Sequence, residues 1–122
     1  MISAAALSLA AATGLGAYAS HGLEAVLDAR TLATVQTAIQ YQFYHSLGLL
    51  TVGLLQARAP SRAWLATALL FAIGLILFSG GLEAEALGGP DWLSRGAPVG
   101  GTCFIAGWLL MAVAVWRRRA EI

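Results

Sequence analysis

Both histidines, Tyr41, Tyr44 and several glutamines lie inside or beside apolar segments of this chain, and they are side chains whose types could do chemistry. Gln40, Tyr41, Gln42, Tyr44 and His45 are the densest cluster, and Gln36 precedes them by one turn. Imidazole and phenol groups can relay protons, and amides and hydroxyls can hold a small polar solute. Ionisable groups at membrane depth are costly and face a bundle interior or a cavity. The candidate set is therefore His21, Tyr41, Gln42, Tyr44, His45 and Ser79. Two uses are open to it. One is a closed hydrogen-bond network, with His45 and Gln42 satisfying one another or backbone groups across helices. The other is a small water-filled cavity, open to the outer face, that binds a polar solute or passes protons.

Other chemistries lack parts. His45 lies about eight residues inside the apolar boundary, roughly 12 Å deeper than His21 at ~1.5 Å rise per residue, and axial haem ligands must sit at similar depth. A metal site would need a third ligand; Glu24 or Glu83 could approach His21, but no spacing demands it. Cys103 is the only cysteine, so neither a disulfide nor a CxxC pair can form within the chain, and it reads as a small apolar packing residue. Glu83 and Glu85, two apart, do not share a helix face. The spelling Gly14-Leu15-Gly16-Ala17-Tyr18-Ala19 fits a dinucleotide fingerprint, but it falls near the end of an alanine-rich helix rather than between a strand and a helix. No catalytic residue, cofactor or metal is expected, and the chain is expected not to be an enzyme.

The elements that must position these residues are membrane helices. Of 122 residues, 59% are hydrophobic and 11% charged, which leaves too little polar surface for a soluble domain of this size. Crossing a hydrocarbon layer of ~30 Å takes about 20 helical residues, and four segments come near that length, residues 2–20, 31–57, 64–82 and 99–116. The second is too polar at first to face lipid all round, so it is expected to begin as an amphipathic extension and to become fully apolar only after His45. The reading is an all-α integral membrane four-helix bundle in a single transmembrane domain. Residues 83–98 are expected to form a loop carrying Gly88-Gly89-Pro90-Asp91, with Pro98 in the first turn of the last helix.

All seven basic residues are arginine. Arg58, Arg62 and Arg117–Arg119 fall at one end of such a bundle and only Arg30 and Arg95 at the other, so the positive-inside rule places both termini in the cytoplasm, in the inner membrane. Trp64 and Trp116 would mark the cytoplasmic boundary, and Tyr18 and Trp92 the outer one. Ala17-Tyr18-Ala19 resembles a signal-peptidase site, but no Lys or Arg precedes the apolar run, so the first helix is expected to be retained. The arginine triplet reads as an anchor on anionic lipid, and no basic patch interleaved with aromatics points to nucleic acid.

Ala4, Ser8, Ala12, Gly16 and Ser20 recur every four residues, a small-xxx-small row along which a second helix can approach closely. Gly80, Gly100 and Gly101 allow similar contact between the third and fourth helices. The expected partners are membrane lipid and, through such faces, a second copy of the chain or another membrane protein.

Four blocks of sequence together resemble the domain-of-unknown-function 423 family of small membrane proteins. They are Ala17-Tyr18-Ala19-Ser20-His21-Gly22-Leu23, Tyr41-Gln42-Phe43-Tyr44-His45-Ser46-Leu47, Leu77-Phe78-Ser79-Gly80, and Pro98-Val99-Gly100-Gly101 with Phe104-Ile105-Ala106-Gly107-Trp108. The resemblance runs from about residue 2 to 116. It implies a four-helix membrane protein and carries no activity with it. One departure stands out: after Ser79-Gly80 similar proteins continue with a small hydroxyl residue and an aromatic, whereas Gly81, Leu82 and Glu83 follow here. The functional expectation is a structural or accessory membrane component, the alternative being an oligomeric transporter or channel subunit for a small polar solute or protons.

Overall fold

The computed structural model describes residues 1–120. Four antiparallel helical rods account for nearly all of them. The first is α1, Ile2–His21, closed by Gly22 N–H donating to the Tyr18 carbonyl, with a short 3₁₀ turn Leu23–Ala25 beyond. The second is α2, Ala29–Arg58, whose N-cap Asp28 accepts from the Thr31 amide. The third rod spans Arg62–Ala86 and is composite: α3, Arg62–Gly74, a π-helical stretch Leu75–Gly80, then α4, Gly81–Ala86. A 3₁₀ turn Asp91–Gly96 leads into α5, Ala97–Ala120. Ser61 caps α3 by accepting from the Trp64 amide.

Three of these rods are long and apolar enough to cross a membrane: the first, the third and the last. The exception is α2, whose early turns expose Thr34, Gln36, Thr37 and Gln40. It nevertheless holds the centre of the molecule. On one side α1 packs against it, and on the other the third rod does; α5 packs against the third rod and reaches α2 through Phe104, stacked on His45. Trp64, Phe71, Val52 and Phe104 form the larger core cluster, and Val35, Ile39, Ala12 and Ala19 a second one between α1 and α2. Leu7, Leu69, Ile76, Ile105 and Leu109 point outward with more than half of their surface bare, as lipid-facing side chains do.

One expectation changes here. Residues 83–86 are helical rather than loop, because Glu83-Ala84-Glu85-Ala86 contains only helix formers and the first breaker is Gly88, at φ +103. Trp64, in the first turn of α3, is 2% exposed, its ring packed into the core and not turned outward, whereas Trp92 and Trp116 are largely exposed. Arg118 lies 5.1 Å over the Trp64 ring and donates to the Ala59 carbonyl at 3.2 Å. The basic end of α5 is thereby fastened to the turn between α2 and α3.

Candidate functional site

The polar residues of α2 divide between opposite sides of that helix. Gln42 faces α1: its Nε2 donates to the Ser8 carbonyl at 3.1 Å and to Ser8 Oγ at 3.2 Å. Ser46, one turn on, donates to the same Ser8 Oγ at 2.7 Å. Because a carbonyl can only accept, the first bond settles which end of the Gln42 amide points at α1. Ser79 is buried on the other flank and donates to the Ala38 carbonyl at 2.9 Å, joining the π-helical stretch to α2.

His45 faces α5. Its Nδ1 lies 2.7 Å from the Tyr41 carbonyl, so that nitrogen carries the proton, and in the uncharged ring Nε2 is left as an acceptor. The ring stacks on Phe104 with centroids 3.4 Å apart and planes 10° from parallel. Tyr41 in turn stacks on Phe78 at 5.1 Å, and Trp108 and Phe71 close the cluster. Together Tyr41, Tyr44, His45, Phe104 and Trp108 line a groove of about 650 Å³ whose walls are mostly ring carbon.

The candidates read from the sequence are thus not brought to one place. Tyr41, Tyr44 and His45 share the aromatic groove; Gln42 belongs to the α1 interface; Ser79 joins two rods; His21 is exposed at the end of α1. Gln42 and His45 do not bond to one another, since each has found a backbone carbonyl. Gln40 donates to the Tyr44 hydroxyl at 2.6 Å on the exposed surface. Of the packing residues, Gly100 is buried and Gly101 partly so, whereas Ala4 and Ser20, the ends of the four-residue row, are exposed.

Two polar contributors lay outside the candidate set. Ser8 is a hydrogen-bond hub as well as a small packing residue, a role its place between a glutamine and a serine on the facing helix could not announce. Glu83 is buried at 7% exposure, and its Oε1 has no hydrogen-bond partner. Its burial follows from the third rod continuing as helix through Ala86, where the sequence suggests a loop. Glu83, Gln42 and Ser8 all line a cleft of about 710 Å³ between the first and third rods. Among the described residues no group of three or more His, Cys, Asp or Glu side chains could hold a metal ion.

A family model described as a protein of unknown function, DUF423, matches residues 15–101. A UPF0382 membrane protein of Staphylococcus saprophyticus is 36% identical over 113 residues, covering 92% of each chain. The UPF0382 membrane protein YwdK of Bacillus subtilis is 37% identical over 111 residues, 89% of each chain. The UPF0382 inner membrane protein YgdD of Escherichia coli is 34% identical over 107 residues, 88% of this chain and 82% of its own. No solved structure matches the chain. Apolar rods long enough to cross a bilayer and a match over most of the sequence lead to one assignment: the chain belongs to the DUF423 family, helical membrane proteins of unknown function.

Proposed function

We propose that this protein is a non-enzymatic structural or accessory component of the inner membrane, with both termini in the cytoplasm. The observation that carries the reading is the Ser8–Gln42–Ser46 network, in which side chains capable of handling a solute are instead spent on joining α1 to α2. Ser79 likewise joins the third rod to α2 through the Ala38 carbonyl, while the Nδ1–H of His45 is taken up within α2 by the Tyr41 carbonyl. Such bonds contribute about 0.6 kcal/mol each within a membrane, so they orient helices more than they stabilise them. The His45 groove, walled by rings, offers no continuous polar path. Arg58, Arg62 and the arginines closing α5 meet at one end of the bundle, which supports the cytoplasmic placement of both termini.

The test combines stability and flux. A double-mutant cycle of Ser8→Ala and Ser46→Ala, read by reversible unfolding in mixed detergent, should return a coupling of about 0.6–1.7 kcal/mol. Proteoliposomes carrying the wild-type chain should leak protons and small polar solutes no faster than protein-free vesicles. A flux that disappears in His45→Phe would overturn the structural reading and put an oligomeric channel or transporter in its place.

A further inference from the structure

We infer that the cleft between the first and third rods binds a primary ammonium group carried on an apolar chain, with Glu83 and Gln42 as its acceptors. The cleft exists because α1 makes its helix packing with α2, leaving a gap beside the third rod. At about 710 Å³ it falls in the range of small-molecule sites, ~300–1,000 Å³. Leu49, Ala72, Leu75 and Ile76 supply apolar walls, and Trp92 comes in from the loop that follows the third rod.

The polar groups in those walls define the occupant. Gln42 is 9% exposed; its Nε2 is fixed on the Ser8 carbonyl, so Oε1 is the free end, and that oxygen is buried with no partner. Glu83 is 7% exposed and its Oε1 is likewise buried and unpartnered. A buried polar atom without a partner is costly, more so when it belongs to a charged group, and two of them beside one cleft call for something from outside the chain. Both are acceptors, which requires a ligand that donates. One belongs to a carboxyl group, which selects for positive charge and against a phosphate or carboxylate.

A bare inorganic ion would meet the charge but leave most of the volume and the leucine and isoleucine walls unmatched. A primary ammonium has three donors on a compact head and can carry an alkyl chain to cover those walls. Two sources share that chemistry: a free hydrophobic amine, and the headgroup of an aminophospholipid entering from the side, since Glu83 stands one turn from the end of the rod at Ala86. The site shares Gln42 with the structural role proposed above: Nε2 holds α1 through Ser8, and Oε1 is left for the cleft.

The experiment is calorimetric titration of the full chain in phosphatidylcholine nanodiscs with hexylammonium and, separately, with hexanol, after subtraction of empty discs. Hexylammonium should bind roughly tenfold or more tightly than hexanol, and Glu83→Gln should bring it down to the level of hexanol. Adding phosphatidylethanolamine to the discs should weaken hexylammonium binding to the wild-type chain if the lipid headgroup is the natural occupant, and leave it unchanged if a free amine is. Equal affinity for hexylammonium and hexanol, or no binding of either, overturns the proposal on the wild-type chain alone. So does an unchanged hexylammonium affinity in a Glu83→Gln chain whose circular dichroism matches the wild type.

Discussion

A missing side chain decides how closely the third rod and α5 can approach. A Cβ at Gly100 would lie 2.7 Å from the Phe78 amide nitrogen and 2.9 Å from its Cβ, and one at Gly74 would run into the Phe104 ring. At Gly101, by contrast, the nearest atom would be Phe78 Cδ2 at 3.8 Å, an ordinary contact. Gly100→Ala should therefore destabilise the chain by about 1–3 kcal/mol in detergent unfolding, because backbone cannot move aside as a side-chain tip can, while Gly101→Ala stays within ~0.5 kcal/mol. Equal costs for the two would mean the rods are not in backbone contact. Both glycines could be picked from the sequence as packing residues, but which of them meets the neighbour depends on the rotation of α5, and a pair of adjacent glycines carries no sign of that. The same blindness applied to His45 and Gln42. Both belong to α2 in the sequence reading, yet only the structure shows that they address different helices.

At the scale of the element, α1 shows why small-residue spacing is a partial guide. A step of four residues advances about 40° around a helix of 3.6 residues per turn, so the row from Ala4 to Ser20 winds off the contact line at both ends. The residues buried are Ala5, Ala12 and Ala19, seven apart, the repeat of two helices in a left-handed crossing. The start of α2 is closer to what its sequence suggests: the helix opens as an amphipathic stretch, capped by Asp28. That carboxylate accepts from the Thr31 amide at 2.7 Å, and this backbone hydrogen bond is the main reason its pKa lies below the ordinary value of 3.8. A depressed pKa in the folded state means that the contribution of the cap is complete above 3.8 and is lost as pH falls through the lower folded value. Amide exchange in the first turn of α2, corrected for intrinsic rates, should speed up over that acidic window. In Asp28→Asn the acceleration should be absent, because the amide oxygen caps without titrating. An identical acid response in the variant would assign the fraying to another group.

For the molecule as a whole, orientation in the membrane is the property that composition sets and packing cannot. Arg58, Arg62 and Arg117–Arg119 lie at one end, and the fold holds that end together through Arg118, which reaches the Ala59 carbonyl and the face of Trp64. Arg30 and Arg95 lie at the other. The bias is five arginines against two, and the acidic residues at the Arg30 and Arg95 end do not enter it, since topology responds to Lys and Arg far more than to Asp and Glu. Replacing Arg117, Arg118 and Arg119 by alanine leaves two arginines at each end and removes the preference. In cells, a cysteine at Ser61 in a Cys103→Ala background should be shielded from an impermeant maleimide, and one at Asp91 should react. With the triple replacement both positions should become partly reactive, as the population divides between two orientations. If Asp91 alone still reacts, the orientation is set by the hydrophobic spans and the order of their insertion, and the arginines serve as lipid anchors and as the clasp on Trp64.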